Sequence, residues 1–292
     1  MTAPIMLVQG VGAGQWVARG PEFDFDATGP KMCKSQLDPS PAGTSTPRTG
    51  PGDPMRLLTA IPVYNEEAHL EPVLAEVLRH AGDVLVVDDG SQDRTPELLR
   101  NFPAVQVIRH PTNLGYGAGL VSAFKRTIEG GYDGLVTLDC DGQHQPSMIP
   151  AVAEPLARAD IASGSRYLRV FDPGQVPPEA RRKINVEVTR WLNECLGFDL
   201  TDAFCGFKAY RVEALKQLDI TDLGYAMPLQ VWAQAAAHGM KVVEVAVPLI
   251  YLDEKRAFGG ALDDADYRLN HYRSVLRAAV EKAGLAVAGG CC

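Results

Sequence analysis

The sequence has no apolar run approaching the roughly 20 residues that a membrane-spanning helix requires. Its first residues also lack the Lys/Arg-then-apolar layout of a secretory signal. It has no excess of positive charge either: 28 Lys and Arg stand against 36 Asp and Glu, a net charge of −8 at pH 7. The broad basic surface that nucleic acid needs is therefore missing, and no nucleic-acid partner is expected. Any anionic ligand must be met by a few local groups. The cysteines (Cys33, Cys140, Cys195, Cys205, Cys291 and Cys292) form no C-x-x-C pair. Neither a zinc site nor a disulfide framework is indicated, and a reducing, cytoplasmic setting fits best.

What is present divides the chain. Residues 20–54 are rich in Pro, Gly, Ser, Thr and Asp ("LDPSPAGTSTPRTGPGDP"), a composition with too little apolar surface to order itself. Residues 1–54 are read as a disordered extension. From Met55 apolar strands alternate with helical stretches. "RLLTAIPVYN" reads as a strand, followed by a helix carrying Leu70, Val73, Leu74, Val77 and Leu78, with Pro72 in its first turn. "DVLVVDDGS" is a continuous apolar run, the mark of a strand covered on both faces. Thr95 looks like the N-cap of a helix with Pro96 at its first position. "VQVIRH" and "GLVTLD" supply two more strands, with a glycine-opened helix between them. The expected fold is α/β: one domain, residues 55–258, built on a mostly parallel sheet with helices on both faces.

In such sheets ligands bind beyond the carboxyl ends of the strands. Three of these ends read "PVYNE", "DDGSQD" and "DCDGQH", so acidic and amide side chains converge on one rim. "NLGYGAG" lacks the G-x-G-x-x-G spacing of a dinucleotide fingerprint and follows the third strand rather than the first. Its glycines are read as opening a helix close to the sheet.

The rim's densest signal is "LDCDGQH". Residues two apart in a strand share a face, so Asp139 and Asp141 point together and Cys140 points away. Such a pair can do acid/base work, bind a hard cation or cap a turn. Two residues of strand span about 7 Å, too far for both carboxylates to reach one ion at about 2.1 Å unless the chain bends. Gly142 permits that bend. Magnesium usually takes only one or two carboxylates plus substrate phosphates, so the pair reads as half of a metal-diphosphate site. Cys140 and His144 give too few ligands to close a zinc site and are read as structural.

Taken together, "IPVYNEE", "VVDDGSQDRT", "NLGYGAG", "LDCDGQHQP", "SGSRY" and "TDAFCGFKAYR" resemble, in order and spacing, glycosyltransferase family 2 with its GT-A fold. The likeness runs from about Leu57 to Arg256 and is greatest to the polyprenol-phosphate branch, which includes dolichyl-phosphate mannosyltransferase. The resemblance implies inverting transfer of a sugar from a nucleoside-diphosphate donor, GDP-mannose or UDP-glucose, to an acceptor, with Mg2+ or Mn2+ as cofactor. It places Pro62, Tyr64, Asn65, Glu67, Asp89, Gly115 and Asp139 around the nucleotide sugar. It assigns the metal to Asp139, Asp141 and Gln143. Asp202 matches the position of the base that serves hydroxyl acceptors. A phosphate acceptor is already anionic at neutral pH and hardly needs one. Arg166, Lys208 and Arg256 are candidates for gripping phosphate groups, with solvated surface charge as the plain alternative.

Two departures bear on the acceptor. Where the branch commonly reads R-x-x-G-x-S-K, this chain reads "RAFGGALDD", and Gln230 stands where a glutamate is usual. The expected acceptor is polyprenyl phosphate, with a soluble or glycan hydroxyl as the alternative and a non-catalytic sugar-nucleotide module as the third reading. A nucleotidyltransferase would carry a lysine-containing glycine-rich loop where "PVYNEE" stands. Residues 259–292 are read as an amphipathic helix and tail. The helix has Leu269, Tyr272, Leu276 and Val280 on one face and Arg268, Arg273, Arg277 and Lys282 around the rest. It suits either peripheral contact with the inner face of a membrane or docking on the domain, the simpler expectation. Nothing in the sequence fixes an oligomeric state.

Overall fold

Alternation within the strands builds two cores. In β1 (Leu57–Val63) Leu58 and Ala60 pack into one apolar cluster and Ile61 and Val63 into another. In β2 (Asp83–Asp88) Leu85 and Val87 join the first cluster, and Val84 and Val86 the second. A strand buried on both faces is apolar at nearly every position, here with Thr59 and Asp88 as buried polar exceptions, which is why these segments read as near-continuous runs. The computed structural model describes residues 54–250, apart from 173, 176 and 178, and residues 260–285. The expected 1–54 extension thus falls outside the described residues except for its last position.

Among the described residues the sheet has seven strands in the order β3-β2-β1-β4-β6-β5-β7, with β3 at Gln106–Arg109, β4 at Gly134–Thr137, β5 at Ile161–Ser165, β6 at Lys208–Arg211 and β7 at Val242–Ala246. All neighbours are parallel except β6, which runs antiparallel to both β4 and β5. Because β2, β1 and β4 are adjacent, their carboxyl ends form one continuous rim. The reversed strand adds to it. Lys208 starts β6 and lies opposite Thr137, the last residue of β4, so the segment before β6 reaches the same rim from the other direction. β5 ends there too, delivering Arg166.

On one face lie α1 (Leu70–Val77), the short α2 (Thr95–Leu98) and α4 (Ile149–Ala153). On the other lie α3 (Tyr116–Glu129), α5 (Glu179–Leu196), α6 (Val212–Leu215), α7 (Met227–Ala237) and α8 (Ala265–Lys282). Pro72 sits in the first turn of α1 as expected. Thr95 is not the cap of α2, whose N-cap is Arg94. Its hydroxyl instead accepts the Glu66 N–H at 2.9 Å, joining the β1 and β2 loops. α5 buries Ile184, Val188, Trp191 and Leu192.

α8 docks on the domain. Tyr272, Leu276, Ala279 and Val280 are buried in the cluster shared with α5 and α7. Arg273 stacks over the Trp191 ring at 4.0 Å. Arg268, expected on the polar side, is buried and donates to the Leu262 carbonyl at 2.6 Å. Cys140 and Cys205 are buried and not disulfide-bonded. Cys195 is disulfide-bonded, a bridge that the spacing of the cysteines does not announce.

Candidate active site

The β1 and β2 ends are knitted into one platform. Asn65 adopts φ 54°, in the left-handed region that asparagine tolerates better than most residues. Its N–H donates to Ser91 Oγ at 2.9 Å and its Oδ1 accepts the Gln92 N–H at 2.8 Å. The Glu67 N–H donates to Asp93 Oδ2 at 3.0 Å, and Glu67 Oε2 accepts the Arg94 N–H at 3.0 Å. Asn65 and Glu67 therefore hold the two loops together. Tyr64 stands beside them 42% exposed, and Pro62 lies under α3, where a Cβ on Gly119 would come to 3.1 Å from its ring.

Asp89 is buried and fully engaged. Oδ1 accepts the Leu114 N–H at 2.9 Å and faces His110 Nδ1 at 2.6 Å, while Oδ2 accepts the Gly115 N–H at 2.8 Å. It orders the loop that leads into α3. Gly115 has φ 107°, and a side chain there would collide with the Leu223 carbonyl. At Gly117 a Cβ would come to 2.6 Å from the Asp222 carbonyl oxygen. The glycines of "NLGYGAG" thus let the start of α3 approach a neighbouring loop as well as the sheet.

The paired aspartates sit just past β4. Asp139 and Asp141 are half-buried, and Cys140 between them is 2% exposed and turned into the core. Gly142 takes φ 73°, supplying the expected bend. Asp141 Oδ1 accepts the Gln143 N–H at 3.0 Å. The Asp139 N–H lies 3.0 Å from His144 Nδ1, and the same nitrogen is 3.9 Å from Asp139 Oδ2. His144 Nε2 faces Cys205 Sγ at 4.0 Å, a structural placement for both residues. The Asp139 carboxylate rests against Gly206, where a Cβ would lie 2.8 Å from the carboxylate carbon. Only glycine leaves that room. Tyr116 Oη donates to Asp139 Oδ1 at 3.0 Å. Burial, reinforced by the charge of Asp139, holds this phenol's pKa well above its ordinary value, so it stays a neutral donor.

These residues fit a hard divalent ion. Two carboxylates and the Gln143 amide carbonyl offer oxygen donors of the type Mg2+ and Mn2+ prefer, on one bent loop. Among the described residues no three His, Cys, Asp or Glu side chains close a site by themselves. That suits an ion completing its shell with ligand phosphate and water.

At the end of β5, Asp202 is wholly buried. Its Oδ2 accepts Arg166 Nε–H at 2.7 Å and the Arg166 N–H at 3.2 Å. Its Oδ1 accepts from Arg166 Nη2 at 2.9 Å, Asn185 Nδ2 at 2.8 Å and the Phe204 N–H at 3.2 Å. Burial alone would raise the Asp202 pKa, but the Arg166 charge and these bonds carry it below the ordinary 3.8. Lys208 is buried too, donating to the Cys205 carbonyl with its ammonium 5.3 Å over the Trp232 ring. Burial pulls its pKa down. Arg256 lies outside the described residues. Tyr116, Asn185 and Gly206 were not marked by sequence reasoning: the motifs "NLGYGAG" and "CGFK" contain two of them, but only the fold shows which carboxylate each one serves.

The family model described as Glycosyl transferase family 2 matches residues 59–219, more than half of the chain. An undecaprenyl-phosphate mannosyltransferase of Micrococcus luteus is 35% identical over 224 residues, covering 72% of this chain and 91% of that protein. A polyprenol monophosphomannose synthase of Mycolicibacterium smegmatis is 32% identical over 207 residues, covering 66% of this chain and 76% of the relative. Among solved structures, glucosyl-3-phosphoglycerate synthase of Mycobacterium tuberculosis, in complex with uridine diphosphate, aligns with a TM-score of 0.59 at 18% identity. That match covers 80% of this chain and 82% of the other. The same enzyme has been crystallised with Mn2+, uridine diphosphate and glucosyl-3-phosphoglycerate, and in that form aligns with a TM-score of 0.57 at 17% identity, over 83% and 88% of the two chains.

Proposed function

The chain belongs to glycosyltransferase family 2, and from that premise we propose that it transfers a mannosyl group from a nucleoside-diphosphate donor, GDP-mannose first, to a polyprenyl phosphate. The observation that carries this reading is one rim bearing two partly exposed aspartates at the end of β4 and a carboxylate-anchored arginine at the end of β5. The mannosyl and polyprenyl components rest on the names of the two relatives, each similar over most of its length.

The β1 and β2 loops supply the nucleoside side, with Tyr64 at the open edge and Pro62, Asn65, Glu67, Asp89 and Gly115 shaping the floor. Asp139, Asp141 and Gln143 would hold Mg2+ or Mn2+, which when bound supplies the positive charge that a departing diphosphate needs. Arg166 spends its Nε and Nη2 edge on Asp202, so Nη1 is the group that would meet the acceptor phosphate. Asp202 acts by fixing that guanidinium. A phosphate nucleophile is ionised at neutral pH, so no side chain has to take a proton, and a carboxylate already accepting five hydrogen bonds would be a poor base. Lys208 adds buried positive charge behind Arg166 and Asp139, and Arg256 is proposed as a further phosphate contact.

No described helix is long and apolar enough to cross a membrane, so a lipid acceptor would be met by peripheral contact with the bilayer surface. Absence of the usual serine and lysine in "RAFGGALDD" favours, as a second reading, an acceptor other than a lipid phosphate. The test is a transfer assay with labelled GDP-mannose and UDP-glucose, Mn2+ or Mg2+, and polyprenyl phosphate in detergent. Label from GDP-mannose entering the organic phase is the expected result. Metal-dependent donor turnover with no lipid product on any polyprenyl phosphate would overturn the acceptor assignment.

A further inference from the structure

Tyr116 is the first residue of α3, and its hydroxyl reaches across to Asp139 Oδ1 at 3.0 Å. Its ring is stacked on Tyr225, with centroids 5.6 Å apart and planes inclined by 16°. Tyr225 ends a segment, residues 221–225, that belongs to no helix or strand. That segment is nevertheless tied down on both sides. Gln230 Oε1 accepts the Thr221 N–H at 2.8 Å and the Asp222 N–H at 2.9 Å, and Gln230 Nε2 donates to Thr221 Oγ1 at 3.1 Å. On the other side the Leu223 carbonyl accepts the Ala118 N–H at 3.2 Å. The side-chain-free backbones of Gly115 and Gly117 allow this approach.

An unbroken line of contacts therefore runs from Gln230 through the 221–225 segment and Tyr225 to Tyr116 and on to Asp139. Two carboxylates on one short loop repel each other, so Asp139 needs a partner to hold its orientation while no cation is bound. A lysine or arginine bonded directly to the carboxylate would compete with the incoming divalent ion for its oxygens, whereas Lys208 bonds the Cys205 carbonyl instead. A phenol donates a hydrogen bond without adding charge. Gly206 bounds the carboxylate on its other side, His144 Nδ1 stands 3.9 Å from Oδ2, and Tyr116 makes the side-chain hydrogen bond to Oδ1 that sets the rotation.

We propose that Tyr116 is a positioning residue for the donor site: it fixes the Asp139 carboxylate in the orientation that receives a metal-bound diphosphate, and the 221–225 segment clamps Tyr116 through Tyr225. The proposal rests on the donor reading given above. Its test is calorimetric titration of GDP and UDP, each with Mn2+ and with a chelator, into the wild type, Tyr116→Phe and Tyr225→Ala. Tyr116→Phe keeps the ring stack and loses the hydrogen bond. Its nucleotide affinity with Mn2+ is expected to fall about tenfold, equivalent to about 1.4 kcal/mol. Metal-free affinity and the thermal midpoint should change little. Tyr225→Ala, at a partly exposed ring, should show part of the same metal-dependent loss.

A merely structural role would lower metal-free and metal-dependent binding together, in step with the midpoint, and that result overturns the proposal. If Tyr116→Phe does not fold, an unchanged Mn2+-dependent affinity in Tyr225→Ala overturns it as well. A wild type that binds neither nucleotide more tightly with Mn2+ removes the donor reading and this proposal together. A wild type that does, with both variants indistinguishable from it, removes the role of Tyr116 alone.

Discussion

Asp141→Ala is expected to lower sugar transfer about 10²–10³-fold or more, the usual loss when a group aimed at developing transition-state charge is removed, while leaving the thermal midpoint nearly unchanged. The side chain is half-buried on a bent loop, outside both apolar clusters, and its Oδ1 accepts the Gln143 N–H two residues on. Losing a local turn bond of this type costs about 1 kcal/mol, small against the catalytic effect. Asp139→Ala is a less clean test, because it would strand the buried Tyr116 hydroxyl and so mix folding with catalysis. Steady-state rates across a range of Mn2+ concentrations check the prediction. Full turnover in Asp141→Ala would remove the metal-diphosphate assignment.

Asp202→Ala is expected to act on the fold first, costing about 3–5 kcal/mol, the range for removing one partner of a buried ion pair. The loss is large because Arg166, the Asn185 amide and the Phe204 N–H would all be left facing an apolar void. The acid dependence follows in sign. The folded pKa of Asp202 lies below its ordinary 3.8, so its contribution is complete above that value and is lost as pH falls through the lower folded value. The pair therefore persists at neutral and mildly acidic pH. Urea unfolding of wild type and Asp202→Ala at neutral pH measures the difference. A loss below about 1 kcal/mol, joined to a shifted pH-rate profile in a well-folded variant, would favour Asp202 as a base over Asp202 as an anchor.

Comparison of sequence and structure divides along physical lines. The sheet was legible because doubly buried strands are apolar nearly throughout, and the rim because parallel strands send all their carboxyl ends the same way. The bend at Gly142 followed from glycine's conformational freedom, whereas β4 ends at Thr137, so the inward turn of Cys140 belongs to the loop and not to the strand alternation expected there. Strand direction at β6 was not legible, since four residues of "KAYR" pair equally well either way, and with it went the reason why "TDAFCGF" meets the rim before its strand. Thr95 followed local capping rules on paper, yet its hydroxyl answers to Glu66, 29 residues away. Asn65, Glu67 and Asp89 lie on the rim, but their side chains are committed to neighbouring groups, mostly backbone N–H. On the function proposed above, they would shape the floor beneath the donor. The Tyr116–Asp139 bond depends on helix placement across the sheet, which residue spacing does not encode.

The central claim is that the Asp139–Asp141 loop seats a divalent ion against a nucleoside diphosphate. Anomalous scattering from crystals grown with Mn2+ and GDP or UDP addresses it directly. The account predicts a manganese peak within coordinating distance of the carboxylate oxygens of this loop, beside the diphosphate. A bound nucleotide with manganese elsewhere, or with these carboxylates turned away from the diphosphate, would contradict it.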